Sequence, residues 1–186
     1  MTNVILCSAS PRRRELLKTI FPAFDVVVAD TEERSSYLRP HLRVMALAEA
    51  KQQGVVADAN TVVISSDTLV YYRGKYYGKP LTEERAAEML RELSGARHSV
   101  YTGVAVRIGD IKRVFYDRAY VRFKKLSEED IARYIREFRP LDKAGAYGVQ
   151  DGVVVDRYEG SFSCIMGLPV EKLRTILREM GVKDVQ

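Results

Sequence analysis

The chain has 186 residues, 46% of them hydrophobic and 30% charged, a composition that supports a sizeable core without a metal or disulfide staple and excludes a disordered chain. Its formal net charge of +5 favours anionic partners without naming one. Cys7 and Cys164 show no CxxC or Cys/His spacing, which argues for two reduced thiols over a zinc cluster or a disulfide framework.

The chain begins a strand within a few residues, without the basic and apolar regions of a signal peptide, and no apolar run approaches the ~20 residues that span a bilayer. A single domain over residues 1–186, soluble and cytoplasmic, is expected. "NVILCSAS" reads as a short buried strand and a loop, and "PRRRELLKTI" as a helix with Pro early and Leu16, Leu17 and Ile20 at helical spacing. "FDVVVA" predicts a second short buried strand, followed by an exposed polar loop at "DTEERSSYLRP". A helix is predicted from Pro40 to about Gln53, its buried side supplied by Leu42, Met45, Ala46 and Ala48 to Ala50, with Gly54 ending it.

"TVVISSDTLVYY" is the most β-prone stretch, and "RGK" separates it from "YYGKP" as a hairpin turn would. "LTEERAAEMLRELSG" has the cap, first-turn acids and closing glycine of a helix. "HSVYTGVAVRI" and "RVFYDRAYVRF" predict a hairpin across "GD", and "LSEEDIARYIREF" a helix capped by Ser127. A Gly-rich loop "DKAGAYGVQDG", a strand "VVVDRY" and an amphipathic helix "LPVEKLRTILREM" close the chain. The order of elements predicts an α/β fold, a mixed sheet flanked by helices, with two lobes and a central cleft.

Ser8, Ser10, Arg12 and Arg13 surround a strand-to-helix junction, where unsatisfied N–H groups and the helix dipole favour an anion. Three arginines there oppose the dipole unless an anion is near; the plainer alternative is a solvated basic first turn. Asp67, on a strongly apolar strand, suits a general base or a metal ligand, or equally the cap of a following turn. Glu32 and Glu33 lie in the polar loop, and Lys51 and Lys79 read individually as surface lysines. Together these residues supply cations for phosphate and acids for a divalent metal and a water. In the glycine-rich loop, Tyr147 offers stacking and Gln150 hydrogen bonds to a base edge, against the alternative of a flexible loop with a buried tyrosine. His41 and His98 show no ligand spacing.

Four segments in order, "SASPRRRELL", "SSDTLV" with "GKP", "LSGARHSVYTGVAV" and "PLDKAGAYGVQDG…GLP", closely resemble the Maf family of nucleoside triphosphate pyrophosphatases over nearly the whole chain. The resemblance implies a fold related to that of the inosine triphosphate pyrophosphatases. It also implies a divalent cation (Mg²⁺, Mn²⁺ or Co²⁺), a homodimer, and hydrolysis of a nucleotide between its α- and β-phosphates. "SPRR", "SDT" and "DKAGAYGVQ" resemble the dTTP/UTP subgroup, where the 7-methyl-GTP subgroup reads closer to "SDQ" and "CAGSF…E". Matched residue by residue, Asp67 is the proton acceptor, Arg12, Thr68 and Gln150 bear on substrate choice, and Ser8, Arg13, Lys51 and Lys79 on phosphate, while Glu33 and Asp67 bear on the metal. "QDG" for the usual "QG" and "SFSCIMGLP" depart from the pattern.

The expected reaction is attack of a water, activated by Asp67, on the α-phosphorus of dTTP, UTP or a modified pyrimidine nucleotide, a house-cleaning chemistry that needs no covalent enzyme intermediate. The alternatives are the 7-methyl-GTP activity, a nucleotide-binding regulator of cell division without turnover, and a nucleic-acid-binding module. No stripe of basic residues interleaved with aromatics is evident for the last of these, so neither a nucleic-acid nor a membrane partner is expected.

Overall fold

The computed structural model describes residues 2–28, 35–183 and 185–186. The elements are β1 (Val4–Cys7), α1 (Pro11–Lys18), β2 (Asp25–Val27), α2 (Pro40–Ala50), β3 (Val62–Tyr72), β4 (Lys75–Tyr77), α3 (Glu83–Leu93), β5 (Arg97–Ile108), β6 (Ile111–Phe123), α4 (Glu128–Phe138), β7 (Val155–Glu159), α5 (Phe162–Met166) and α6 (Val170–Glu179). Single 3₁₀ turns occupy Pro140–Asp142, Ala144–Ala146 and Val149–Asp151. Among the described residues the strands form one mixed sheet in the order β2-β1-β3-β5-β6-β7, with β4 paired to β3. β1 runs parallel to both β2 and β3, whereas β3–β4 and β6–β7 are antiparallel.

The chain forms two compact units. One comprises Met1–Asp67, Thr102–Asp117 and Gly167–Gln186, the other Thr68–Tyr101 and Arg118–Met166, so β3, β5 and β6 each contribute residues to both. The first unit has its own core of Leu6, Leu17, Ile20, Ile64, Val104, Val106, Leu168, Leu173 and Leu177. Parallel strands covered on their faces read as continuous apolar runs, which explains "VILC" and "VVI". The second unit packs α3 and α4 with Tyr77, Val100, Val121, Phe123 and Tyr147.

Local chemistry sets the boundaries. Arg73 and Gly74, with φ of 45° and 80°, make the tight β3–β4 turn in the doubly positive conformation that matches strand twist. The Thr82 hydroxyl caps α3 by accepting from the Arg85 N–H at 3.2 Å. Ser127 and Asp130 form a reciprocal capping box at α4, whose end is set by Arg139 in the left-handed conformation before Pro140.

Three expectations are corrected. β2 is exposed rather than buried, because it is the terminal strand of the sheet. α2 stops at Ala50, its last turn tightening through Lys51, and it buries Val44, Leu47 and Ala48, of which Ala48 alone belongs to the predicted face. α5 falls in "SFSCIM", where five residues are too few to show a helical period. A face of the second unit's sheet does interleave basic and aromatic residues: the Arg97 guanidinium lies 3.8 Å from the Tyr120 ring centroid and that of Arg118 4.8 Å from the same ring. The alternation of the two strands, not linear spacing, brings them together.

Candidate active site

In the first unit the chain turns from β1 into α1 through Ser8, which is 7% exposed. Its hydroxyl accepts from the Ser10 N–H at 3.2 Å and from the Arg13 guanidinium at 3.3 Å. Ser10 occupies the N-cap position without a side-chain cap, Pro11 sits in the first turn, and that turn holds no acid. The positive end of α1 therefore carries Arg12, Arg13 and Arg14 with no carboxylate of its own turn to offset them. Arg13 is oriented further by its Nε, which donates to the Gly167 carbonyl at 2.9 Å. Ser66, fully buried on β3, donates to that same carbonyl at 2.6 Å. Arg14, expected to be solvated, is half-buried, and its Nε has no hydrogen-bond partner among the described residues.

Asp67 lies within β3 rather than in a turn and is 7% exposed. Lys51 donates to its Oδ1 at 2.6 Å, forming an ion pair whose side chains are 15% and 9% exposed. Lys51 is thus half-buried and directed at a carboxylate, contrary to its reading as a surface lysine. Its position follows from how the end of α2 is tied to the sheet. The Ser65 hydroxyl donates to the Ala48 carbonyl, and the Gln52 amide donates to Val63 at 3.1 Å and Ala105 at 2.8 Å. Gly103 lets β5 pass so close to α2 that an added Cβ would stand 2.3 Å from the Val44 carbonyl oxygen. Ser65, Ser66 and Gln52 escape a sequence reading because their partners are backbone carbonyls far along the chain. Glu32 and Glu33 lie outside the described residues.

In the second unit Thr68 follows Asp67 on β3 and is half-buried, Lys79 is exposed in the turn before buried Pro80, and Gln150 is exposed on the glycine-rich loop. The loop itself is well anchored. The Gly145 N–H donates to the Gly78 carbonyl at 3.1 Å, and the Tyr147 hydroxyl lies 2.9 Å from His98 Nε2. The Tyr147 ring packs edge-on against His98 and Phe123, 5% exposed, so it is a core residue rather than a stacking platform for a base. Burial pushes the His98 imidazole down to about 3 and the Tyr147 phenol well above its usual range.

No group of three or more His, Cys, Asp or Glu able to hold a metal ion occurs among the described residues. Asp67 is a buried carboxylate of the first unit, paired with Lys51. Magnesium-like ions commonly take one or two carboxylates and complete their shell with substrate phosphates and water, and this donor set fits that habit.

A solved structure places the architecture: a HAM1 protein from Coxiella burnetii superposes with a TM-score of 0.50 over 96% of this chain and all of that one, at 15% identity. The fold is therefore that of the HAM1-type α/β proteins. The Maf-like protein family profile matches residues 3–180. A dTTP/UTP pyrophosphatase of Bacillus velezensis is 42% identical over 185 residues, covering 97% of this chain and 98% of the relative. One of Bacillus cereus is 40% identical, covering 98% and 97%. The chain belongs to the Maf family.

Proposed function

We propose that the protein is a nucleoside triphosphate pyrophosphatase of the cytoplasm, acting as a homodimer, that hydrolyses dTTP and UTP to the monophosphate and pyrophosphate. The observation that carries the proposal is the buried Asp67–Lys51 pair, set in the same unit as a helix start furnished with Ser8 and Arg13. The kinship with the Bacillus pyrophosphatases supplies the substrates.

Lys51 holds one oxygen of the Asp67 carboxylate and orients it, leaving the second oxygen to accept a proton from the attacking water. Arg13, held in place by Ser8 and the Gly167 carbonyl, presents a guanidinium to phosphate oxygens. Arg12, Lys51 and Lys79 add positive charge where the transition state gathers negative charge. Asp67, with Glu33 by resemblance to the family, would ligate the divalent ion, which when bound neutralises phosphate oxygens and eases departure of pyrophosphate. Gln150 offers a donor and an acceptor to a pyrimidine edge, and Thr68 and Arg12 contribute to substrate choice.

A pyrophosphate-release screen over dTTP, UTP, CTP and 7-methyl-GTP with Mg²⁺, Mn²⁺ or Co²⁺ tests the reading. Fastest turnover of dTTP and UTP is expected. Fastest turnover of the methylated purine, or nucleotide binding without pyrophosphate release, would overturn it.

A further inference from the structure

We propose that Tyr134 and Asp151 are positioning residues that clamp the Gly148–Asp151 turn and so fix the direction of Gln150, an inference that rests on Gln150 reading the base edge. Tyr134 stands on α4, 1% exposed, its ring stacked on Phe138 at 4.9 Å. Its hydroxyl has two occupied roles. It accepts from the Gly148 N–H at 3.0 Å and donates to Asp151 Oδ2 at 2.5 Å. One buried oxygen thus ties the first and last residues of the turn, and a backbone bond from the Asp151 N–H to the Gly148 carbonyl at 3.2 Å closes it.

Between the tied ends lie two residues. Val149 is buried, and Gln150 carries the side chain that the turn leaves exposed. Gly148 completes the arrangement: a Cβ there would stand 2.6 Å from Gln150 Nε2 and 2.7 Å from Asp151 Oδ2, so both side chains fold over a backbone that must be bare. Asp151 is the residue by which "QDG" departs from the "QG" of the family pattern. The clamp gives that extra carboxylate a task. It anchors the turn to α4, while loss of the Tyr134 hydroxyl would leave the buried Gly148 N–H unsatisfied.

A purely structural bond and a positioning bond differ in what they change. Tyr134→Phe keeps the ring and removes the hydroxyl. With Gln150 less well aimed, KM for UTP and dTTP should rise about 3- to 10-fold, kcat should stay within about twofold, and preference for pyrimidine over purine triphosphates should narrow. Inhibition by inorganic tripolyphosphate, which has no base, should be unchanged. Asp151→Ala should reproduce these effects and serves as the test if Tyr134→Phe is insoluble, while Asp151→Asn, which keeps an acceptor, should restore wild-type values. In a Gln150→Ala background Tyr134→Phe should add nothing. Wild-type KM and selectivity in folded Tyr134→Phe or Asp151→Ala, or an equal further loss in the Gln150→Ala background, would overturn the clamp while the proposed function stands. A wild-type protein inert toward every triphosphate would instead remove that function and, with it, the role assigned to the clamp.

Discussion

Asp67 and His98 are both buried polar residues, and their surroundings give them opposite tasks. Asp67 has a cation at 2.6 Å, so its burial is compensated. If it is the base, Asp67→Asn should lower kcat by roughly 10²–10⁴-fold with folding unchanged, as steady-state kinetics and circular dichroism would read. His98 is compensated on one nitrogen alone: Nε2 meets Tyr147, and Nδ1 has no hydrogen-bond partner among the described residues. Its folded pKa of about 3 lies below the ordinary 6.5, so the unfolded chain binds the extra proton first as pH falls. Stability contributed by neutral His98 is therefore intact above about pH 6.5 and is lost below it, by up to about 1.4 kcal/mol per pH unit. Urea unfolding at pH 6.5 and 4.5 should show a steeper loss for the wild type than for His98→Gln; parallel losses would refute the assignment. At this scale the motifs singled out Asp67, Gln150 and Lys51 as candidates, but they hid the pairing of Lys51 with Asp67. A lysine and an aspartate sixteen positions apart carry no local signature, and only the packing of α2 on β3 joins them.

The elements with strong local chemistry were the legible ones. α3 and α4 announce themselves through Thr82, Ser127 and first-turn acids, and the β3–β4 turn through a glycine at positive φ. Removing the α4 cap by Ser127→Ala should cost about 1 kcal/mol, visible as a fall in Tm of a few degrees; an unchanged Tm would show that Asp130 alone suffices. The elements decided by tertiary context were not legible. β2 looks buried from "DVV" and is not, since burial of a strand depends on whether another covers its edge. α1 is the informative exception to good local design. Its arginine-rich first turn lacks an acid, so a bound anion should relieve it: millimolar pyrophosphate should raise the wild-type Tm, and Arg13→Ala should blunt the rise.

For the molecule as a whole, α/β class, mixed sheet and family could all be reached from ordered motifs, because each motif fixes a strand end or a turn at which side chains must point one way. The two lobes predicted from the order of elements stand as two compact units with separate cores, but where they divide could not be reached, since β3, β5 and β6 run through both and no linker composition marks a boundary. Nor could the sheet face on which Arg97 and Arg118 flank Tyr120. Chelation of divalent metal should abolish turnover, and Mg²⁺ or Mn²⁺ should restore it, if Asp67 works with a metal. The most direct measurement of the account is UTP hydrolysis in ¹⁸O-labelled water with mass analysis of the products. Attack on the α-phosphorus by a water activated at Asp67 predicts one labelled oxygen in UMP and none in pyrophosphate; label in pyrophosphate, or release of UDP and orthophosphate, would contradict it.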